Sequence, residues 1–170
     1  MTPQANKAPA ADQPVAGLFG KCVGSPLKRN IRQLSMYDDD YPTCKATYAT
    51  LRIYHDELEP DIVSSRLGLP PSQSQTKGQV LGRNRVAPVG GWFLSSKNQV
   101  TSKDVRRHIA WILDKMAGRE GQLLELQNEG YETDISCYWL SASGHGGPEL
   151  DPDLMQRLAS LRLLIGFDVY

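Results

Sequence analysis

Apolar and polar residues alternate with a period of two in several segments of the chain, which is the pattern of half-buried strands. The strands predicted from this alternation, or from a short apolar run, are residues 46–54, 79–85, 92–96, 131–141 and 163–170. In the last strand Ile165, Phe167 and Val169 are predicted to face the core. The polar residues 72–78 are predicted to form a loop.

Apolar residues spaced three and four apart predict helices between these strands. The clearest stripe, with Ser102 as the predicted N-cap, consists of Val105, Ile109, Ile112, Leu113 and Met116. Three more helices are predicted: from Glu59-Pro60 to Gly68 with Ile62, Val63 and Leu67 inside, around 120–127, and after Asp151 with Leu154, Met155, Leu158 and Leu161 inside. Pro152 takes the first helical position, which proline favours.

The order of these elements predicts an α+β fold. We expect a mostly antiparallel sheet of four to five strands with the helices packed on one face, a split-βαβ-like arrangement. The predicted domain covers residues 46–170. Residues 1–45 are predicted to be a poorly ordered or draping extension, in which 1–16 are disordered and 17–45 are either a linker or a basic segment that orders on a partner.

Charge and composition narrow the functional classes. The 170 residues contain 19 Lys and Arg and 19 Asp and Glu, so the formal charge is zero, which disfavours a dedicated nucleic-acid binder. The sequence shows neither a signal-peptide pattern nor an apolar run of the ~18 residues that span a membrane, so a cytoplasmic protein is predicted. Cys137 is predicted to be a buried apolar residue, and Cys22 and Cys44 to be reduced or, alternatively, disulfide-bonded.

Candidate catalytic chemistry is sparse. His55, His108 and His145 have no metal-ligand spacing, and no cofactor fingerprint occurs, so neither a metal nor a cofactor is predicted. His55-Asp56-Glu57 places an imidazole beside two carboxylates, and His145 lies in a glycine-rich loop. A metal-dependent or hydrolase-like enzyme that uses these residues is the alternative to a binding function.

The second face of the predicted sheet is rich in aromatic residues. Period two assigns to it Tyr48, Arg52, Tyr54, Phe93, Ser136, Tyr138, Asp168 and Tyr170. Protein-binding surfaces favour aromatic residues and Arg, so the predicted partner-binding residues are Tyr48, Arg52, Tyr54, Tyr138 and Tyr170. Alternatively, the N-terminal segment with Leu18, Phe19 and Ile31, or a homodimer, covers this face. Single-stranded RNA binding on the aromatic face is a third hypothesis.

Four stretches of the chain are informative when taken together: Leu58 to Ser72 with its loop to Gly78, Gly91 to Ser96, His108 to Leu113, and Leu158 to Tyr170. In their order and spacing they resemble a bacterial family known as domain of unknown function 4279. The resemblance implies a stand-alone cytoplasmic protein without assigned catalytic residues, and some members are suspected immunity partners of toxins. The leading hypothesis is a non-enzymatic immunity or inhibitor protein that neutralises a cognate bacterial toxin by occlusion.

Overall fold

The computed structural model describes residues 37–170. The strands are β1 (Cys44–His55), β2 (Gln73–Gln75), β3 (Gly90–Ser95), β4 (Glu132–Ser141) and β5 (Leu164–Val169). The helices are α1 (Pro60–Leu67), α2 (Val105–Met116), α3 (Glu120–Asn128) and α4 (Pro152–Ser160). The predictions for residues 1–36, including any Cys22–Cys44 disulfide, lie outside the described residues.

The strands form one mixed sheet with the order β2-β3-β1-β4-β5. The neighbouring pairs are antiparallel except β4 and β5, which are parallel. Since β3 and β4 both run antiparallel to β1, they are parallel to each other, and the connection through α2 and α3 passes over the strand between them. This unit is a split βαβ, so the predicted α+β class and mostly antiparallel sheet are confirmed.

The core lies between one face of the sheet and the helices. Leu51, Ile53 and Trp139 are fully buried on this face, as period two predicts. Buried residues of all four helices join the same cluster: Val63 and Leu67, the α2 stripe, Leu123 and Leu126, and Leu154 and Leu158. The four helices therefore cover a single face of the sheet.

Two of the helices, α2 and α4, begin with a side-chain cap, and the cap of α2 differs from the predicted one. Asp151 caps α4 by accepting a hydrogen bond from the Leu154 N–H at 2.8 Å. The cap of α2 is Asp104, which accepts from the Arg106 N–H, and the predicted Ser102 instead accepts from the Asp104 N–H at 3.0 Å. The Ser102 prediction was wrong because a second capping residue stands two positions closer to the apolar stripe.

Two predictions around the second strand were wrong. The predicted loop 72–78 contains β2, which pairs antiparallel with β3. The predicted strand 79–85 is instead a turn around the short 3₁₀ segment Gly82–Asn84, closed by the single bridge Val80–Val86. Polar side chains in Gln73–Gln75 concealed a strand because this edge strand buries none of them.

Three residues predicted on buried faces are exposed. Val169, Met155 and Ile62 are 59%, 48% and 54% exposed. Periodicity assigns a side chain to a face, whereas burial also depends on how far the neighbouring element extends.

Residues 37–43, which fall within the predicted extension, contact the core. The Tyr41 ring packs edge-on against Trp139 with centroids 5.3 Å apart, and the Asp38 N–H donates to Asp104 at 2.9 Å. None of the helices in the described part of the chain is long and apolar enough to span a membrane.

Candidate functional site

The outward face of the sheet, here called the open face, is uncovered by any other element of residues 37–170. Its side chains come from alternate positions on four strands, because successive strand residues point to opposite sides. The open face consists of Tyr48, Thr50, Arg52, Tyr54, Phe93, Ser95, Asp134, Ser136, Tyr138, Leu164, Gly166, Asp168 and Tyr170. Most of these side chains are half-buried by one another, and their outer edges face solvent.

A row of tyrosines crosses one end of this face. Tyr48 and Tyr138 are register partners on β1 and β4, and their rings stack with centroids 5.0 Å apart and planes at 12°. Tyr170 lies on the other side of Tyr138, at 5.3 Å and 32°. The Lys97 Nζ lies 5.1 Å from the centroid of Tyr48, which is within range of a cation–π interaction. The ring faces of Tyr48 and Tyr138 are therefore covered, whereas Tyr170, which is 69% exposed, has a ring neighbour on one face only.

A second row, four residues further along β1, is built on Arg52. Its Nε and Nη2 donate to the two carboxylate oxygens of Asp134 at 2.7 and 2.8 Å, a bidentate pair. The Arg52 guanidinium also lies 5.8 Å from the Tyr54 ring, which packs edge-on against Phe93 at 5.4 Å. The hydrogen bond to Asp134 raises the pKa of Arg52, and burial raises the pKa of Tyr54. In this row the positive charge of Arg52 is neutralised by the carboxylate of Asp134.

Small residues fill the line between the two rows. Ser95, Thr50, Ser136 and Gly166 are consecutive register partners across β3, β1, β4 and β5. The Thr50 Oγ1 donates to the Ser95 Oγ at 3.0 Å, and the Ser136 Oγ donates to the Asp168 carboxylate at 3.4 Å. Because the bulky rows stand on either side, the open face has a transverse groove of about 680 Å³, with a hydroxyl-lined floor. Its walls stand roughly 13 Å apart along β1.

The structure brings most of the predicted binding residues together. Tyr48, Arg52, Tyr138 and Tyr170 all line the groove, whereas Tyr54 lines a neighbouring depression with His55 and Asp56. Sequence reasoning missed the groove itself. The signal was present in the small residues Thr50, Ser95 and Gly166, but it becomes readable only when the strand order and register are known.

A second depression, of about 780 Å³, adjoins the tyrosine row. Tyr48, Lys97 and Tyr138 line both this depression and the groove. The depression extends from them to the charged residues Asp39, Asp40, Lys45 and Lys103. Asp39 is paired with Arg107 at 2.7 Å. Both signs of charge therefore lie beside the tyrosine end of the open face.

The residues of the enzymatic hypothesis lie outside the groove. The His55 ring stacks on Tyr131 at 4.5 Å, and its Nδ1 accepts from the Glu57 N–H. Asp56 pairs with Lys77 at 2.8 Å, and this hydrogen bond lowers the pKa of the Asp56 carboxyl. His145 is exposed, and its Nδ1 lies 2.8 Å from the carbonyl oxygen of Ser143, two residues earlier in the chain. Among residues 37–170, no group of three or more His, Cys, Asp or Glu side chains is placed to hold a metal ion.

The third histidine, His108, is buried in a hydrogen-bonded network on the helix side of the sheet. Its Nδ1 lies 2.8 Å from the Ser96 Oγ, and its Nε2 lies 3.0 Å from the Ser102 carbonyl oxygen. Ser96, also buried, accepts from the Ala49 N–H at 2.9 Å. These bonds tie α2 to the centre of β1, behind the groove floor.

Cys44 and Cys137 are buried in the core, and neither forms a disulfide within residues 37–170. Burial raises the pKa of Cys137 to about 12, so its thiol stays protonated. Cys137 is thus the buried apolar residue that the sequence predicts.

Comparison with known proteins assigns the chain by family only. The model of the family described as Domain of unknown function (DUF4279) matches residues 44–170. No curated protein and no solved structure gives a significant match. The matched range begins at the first residue of β1 and includes every residue of the groove.

Proposed function

This chain belongs to the DUF4279 family, and from that premise we propose that it is a non-enzymatic binding protein that holds a protein partner in the groove of its open face. The observation that carries this proposal is the groove itself, with a tyrosine row on one side and the Arg52 row on the other.

The chemistry of the open face suits a protein surface. Tyr and Arg are the residues that most often dominate protein–protein binding energy, and both line this groove. The hydroxyl groups of Tyr48, Tyr138 and Tyr170 have no hydrogen-bond partner within residues 37–170, whereas that of Tyr41 donates to the Gly147 carbonyl. The unpartnered hydroxyls are free to bind backbone or side-chain groups of a partner.

The groove is also preorganised for binding. Stacking fixes the Tyr138 ring between Tyr48 and Tyr170, and two hydrogen bonds fix the Arg52 guanidinium on Asp134. Ordering a flexible side chain at an interface costs about 0.5–1.5 kcal/mol. Side chains that are already ordered in the free protein avoid much of this cost, which favours affinity for a partner of complementary shape.

The tyrosine geometry favours a protein over single-stranded RNA. Nucleobases bind aromatic residues by stacking on an open ring face. Both faces of Tyr138 are occupied by neighbouring rings, and Lys97 lies over Tyr48. Tyr48 and Tyr138 offer edges and hydroxyl groups, which suit hydrogen bonding and van der Waals contact with a polypeptide, and the 69% exposed Tyr170 alone keeps an open ring face.

A finer proposal concerns the partner and its compartment. We propose that the partner is a bacterial toxin whose active site is occluded by the open face, so that neutralisation needs no chemistry. The support is analogy with suspected immunity proteins of the same family. We further propose a cytoplasmic location, which the thiols of Cys44 and Cys137 support, since they form no disulfide within residues 37–170 and reducing compartments preserve thiols.

The test is capture of the partner from the native host by the tagged full chain and two variants. We expect one stoichiometric protein partner with the wild type and at least ~10-fold less with Arg52→Ala/Tyr54→Ala, because Arg52 lines the groove, Tyr54 lies beside it on the open face, and truncating a binding anchor costs about 2 kcal/mol. The control is Val80→Ala/Val86→Ala, which truncates two exposed side chains away from the open face. It should capture the partner as the wild type does.

Thermal melting separates binding from folding in this test. Arg52 and Asp134 are both partly exposed, so losing their ion pair should cost ~1 kcal/mol or less. Equal capture by both variants would contradict the proposal, as would loss of capture together with unfolding of the Arg52→Ala/Tyr54→Ala protein. Co-purification of a metal or of RNA in place of a protein would support the enzymatic or the RNA hypothesis instead.

A further inference from the structure

Strand β5 is an edge strand with unused backbone groups. The Tyr170 N–H donates to the Trp139 carbonyl at 2.9 Å, and the Tyr170 carbonyl accepts from the Ser141 N–H at 2.8 Å. Successive residues of a strand direct their N–H and C=O groups to alternate sides. The backbone groups of Ile165, Phe167 and Val169 therefore point away from β4, and no hydrogen bond within residues 37–170 uses them.

Within residues 37–170, this edge has one charged residue, Asp168, and lacks the other features that keep sheet edges from pairing. Natural edges are protected by short strands, Lys or Pro residues, bulges or covering elements. The opposite edge fits that description, since β2 has only three residues and follows Pro70-Pro71. In contrast, β5 has six residues, contains neither Lys nor Pro and pairs with β4 in unbroken register.

Exposed apolar side chains concentrate on the same edge. The exposed fractions are 68% for Leu164, 59% for Val169 and 69% for Tyr170. Leu164 and Tyr170 point to the open face, and Val169 points to the helix side. An exposed apolar edge strand without protection is a surface that pairs with another strand.

We propose that two copies of this chain associate through antiparallel pairing of β5 with β5 of the second copy. A twofold axis places the same strand on both sides, so each copy offers the other an identical edge. When the axis is centred on Phe167, Phe167 of one copy pairs with Phe167 of the other. Ile165 of each copy then pairs with Val169 of the other copy, so all three residues with outward backbone groups are paired. Each of these pairs exchanges two backbone hydrogen bonds.

The side chains fit this register. On the open face, Leu164 of one copy lies opposite Tyr170 of the other, so the two most exposed apolar residues of the edge cover each other. On the helix side, exposed Val169 meets the partly buried Ile165. Asp168 lies opposite Gly166, which leaves room for a solvated carboxylate. Directly opposed apolar and aromatic pairs of this kind stabilise sheets by about 0.2–1 kcal/mol each.

The neighbouring registers are worse for a physical reason. Moving the axis to Asp168 places two carboxylates directly opposite each other, which destabilises a strand pair. Moving it to Gly166 leaves Val169 without a β5 residue opposite it. The register centred on Phe167 is therefore specified by the sequence of the strand.

The first test is the mass of the full chain in solution, measured by analytical ultracentrifugation over a concentration series. We expect a monomer–dimer equilibrium for the wild type. Val169→Lys should weaken dimerisation at least ~10-fold, because Lys protects edges from pairing. The matched control is Val86→Lys, where a valine of nearly equal exposure (60% against 59%) lies away from the edge, and its dimerisation should equal that of the wild type.

The second test reads the register. L164E/Y170E places two glutamates opposite each other at each end of the pairing and should abolish the dimer. L164K/Y170E instead places Lys opposite Glu at each end and should restore the dimer relative to L164E/Y170E. Within one copy the two positions are six residues apart, about 20 Å along the strand, so the rescue reports on contacts between copies.

Amide exchange followed by NMR provides an independent readout. The amides of Ile165 and Phe167 should become protected as the concentration rises, whereas that of Gly166, which bonds to β4, should be protected throughout. A monomer at all concentrations would overturn the proposal, as would a dimer that Val169→Lys leaves intact or identical behaviour of the two double variants. Arg52→Ala/Tyr54→Ala should dimerise normally, so dimerisation and partner capture can fail independently.

Discussion

His108 shows how a single residue can connect a helix to the strand beneath the groove. Its Nε2 faces the Ser102 carbonyl oxygen, which can only accept, so that nitrogen carries a proton. In the neutral ring, Nδ1 then accepts from the Ser96 hydroxyl. This arrangement satisfies every group in the network with an uncharged imidazole, and burial lowers the pKa of His108.

The lowered pKa predicts a pH-dependent stability. The unfolded chain, in which the His pKa is about 6.5, binds a proton more readily than the folded one. The contribution of His108 is therefore complete above pH ~6.5 and is lost as the pH falls below that value. His108→Gln keeps a donor and an acceptor but cannot be charged.

Urea unfolding at pH ~7 and pH ~5 measures this effect, since that interval spans the ordinary pKa of histidine. We expect the wild type to lose more free energy of unfolding between the two pH values than His108→Gln. The quantity compared is the change in the free energy of unfolding between the two pH values within each protein. Any pH-independent destabilisation by the substitution therefore cancels. Equal losses in the two proteins would show that His108 does not titrate on unfolding.

Sequence periodicity predicted the face of the sheet on which a residue lies better than it predicted which residues that side chain contacts. The outward positions of Tyr48, Arg52 and Tyr138 follow from a period of two along one strand. The contact between Ser96 and His108 does not follow, since it depends on how α2 packs over β1. The exposure of Val169 was missed for the same reason, because its cover depends on a neighbouring element.

At the scale of elements, the turn between β1 and α1 packs closely against the start of β3. A Cβ atom on Gly90 would lie 2.8 Å from the Leu58 Cβ and 2.9 Å from the His55 carbonyl oxygen. Neither of these atoms is the end of a flexible side chain. Only glycine permits the approach, and this explains the glycine at the start of the strand.

We predict that Gly90→Ala lowers the free energy of unfolding by about 1–3 kcal/mol, because overpacking forces backbone shifts. The matched variant is Gly121→Ala in α3, where a Cβ meets no atom within 4 Å. That substitution should raise the free energy of unfolding by about 0.5–1 kcal/mol, since alanine is the better helix former. Chemical denaturation measures both changes in the free energy of unfolding, which we expect to have opposite signs. Changes of the same sign would refute the packing argument.

Elements with strong patterns were predictable, whereas the short edge strand β2 was not. The stripe of α2 and the Asp151-Pro152 start of α4 determine their helices locally. The three-residue β2 has no pattern of its own and exists because β3 supplies its hydrogen bonds. The segment 79–85 looked like a strand but has no partner strand along its length in the described structure.

At the scale of the whole molecule, the strand order determines the groove. Ser95, Thr50, Ser136 and Gly166 align only because β1 lies between β3 and β4 and because β5 follows β4. These residues are far apart in sequence, so one chain alone does not reveal that they meet. In the proposed dimer, two such faces join into one continuous sheet with Tyr170 near the junction.

The most direct test of the central claim, that the open face holds a protein partner, is site-specific photo-crosslinking of the captured complex. A photoreactive amino acid replaces Lys97 at the rim of the groove or Met155 on the exposed side of α4. We predict a cross-link to the partner from position 97 and none from position 155. Cross-linking from position 155 without any from position 97 would place the partner on the helix side and contradict the account.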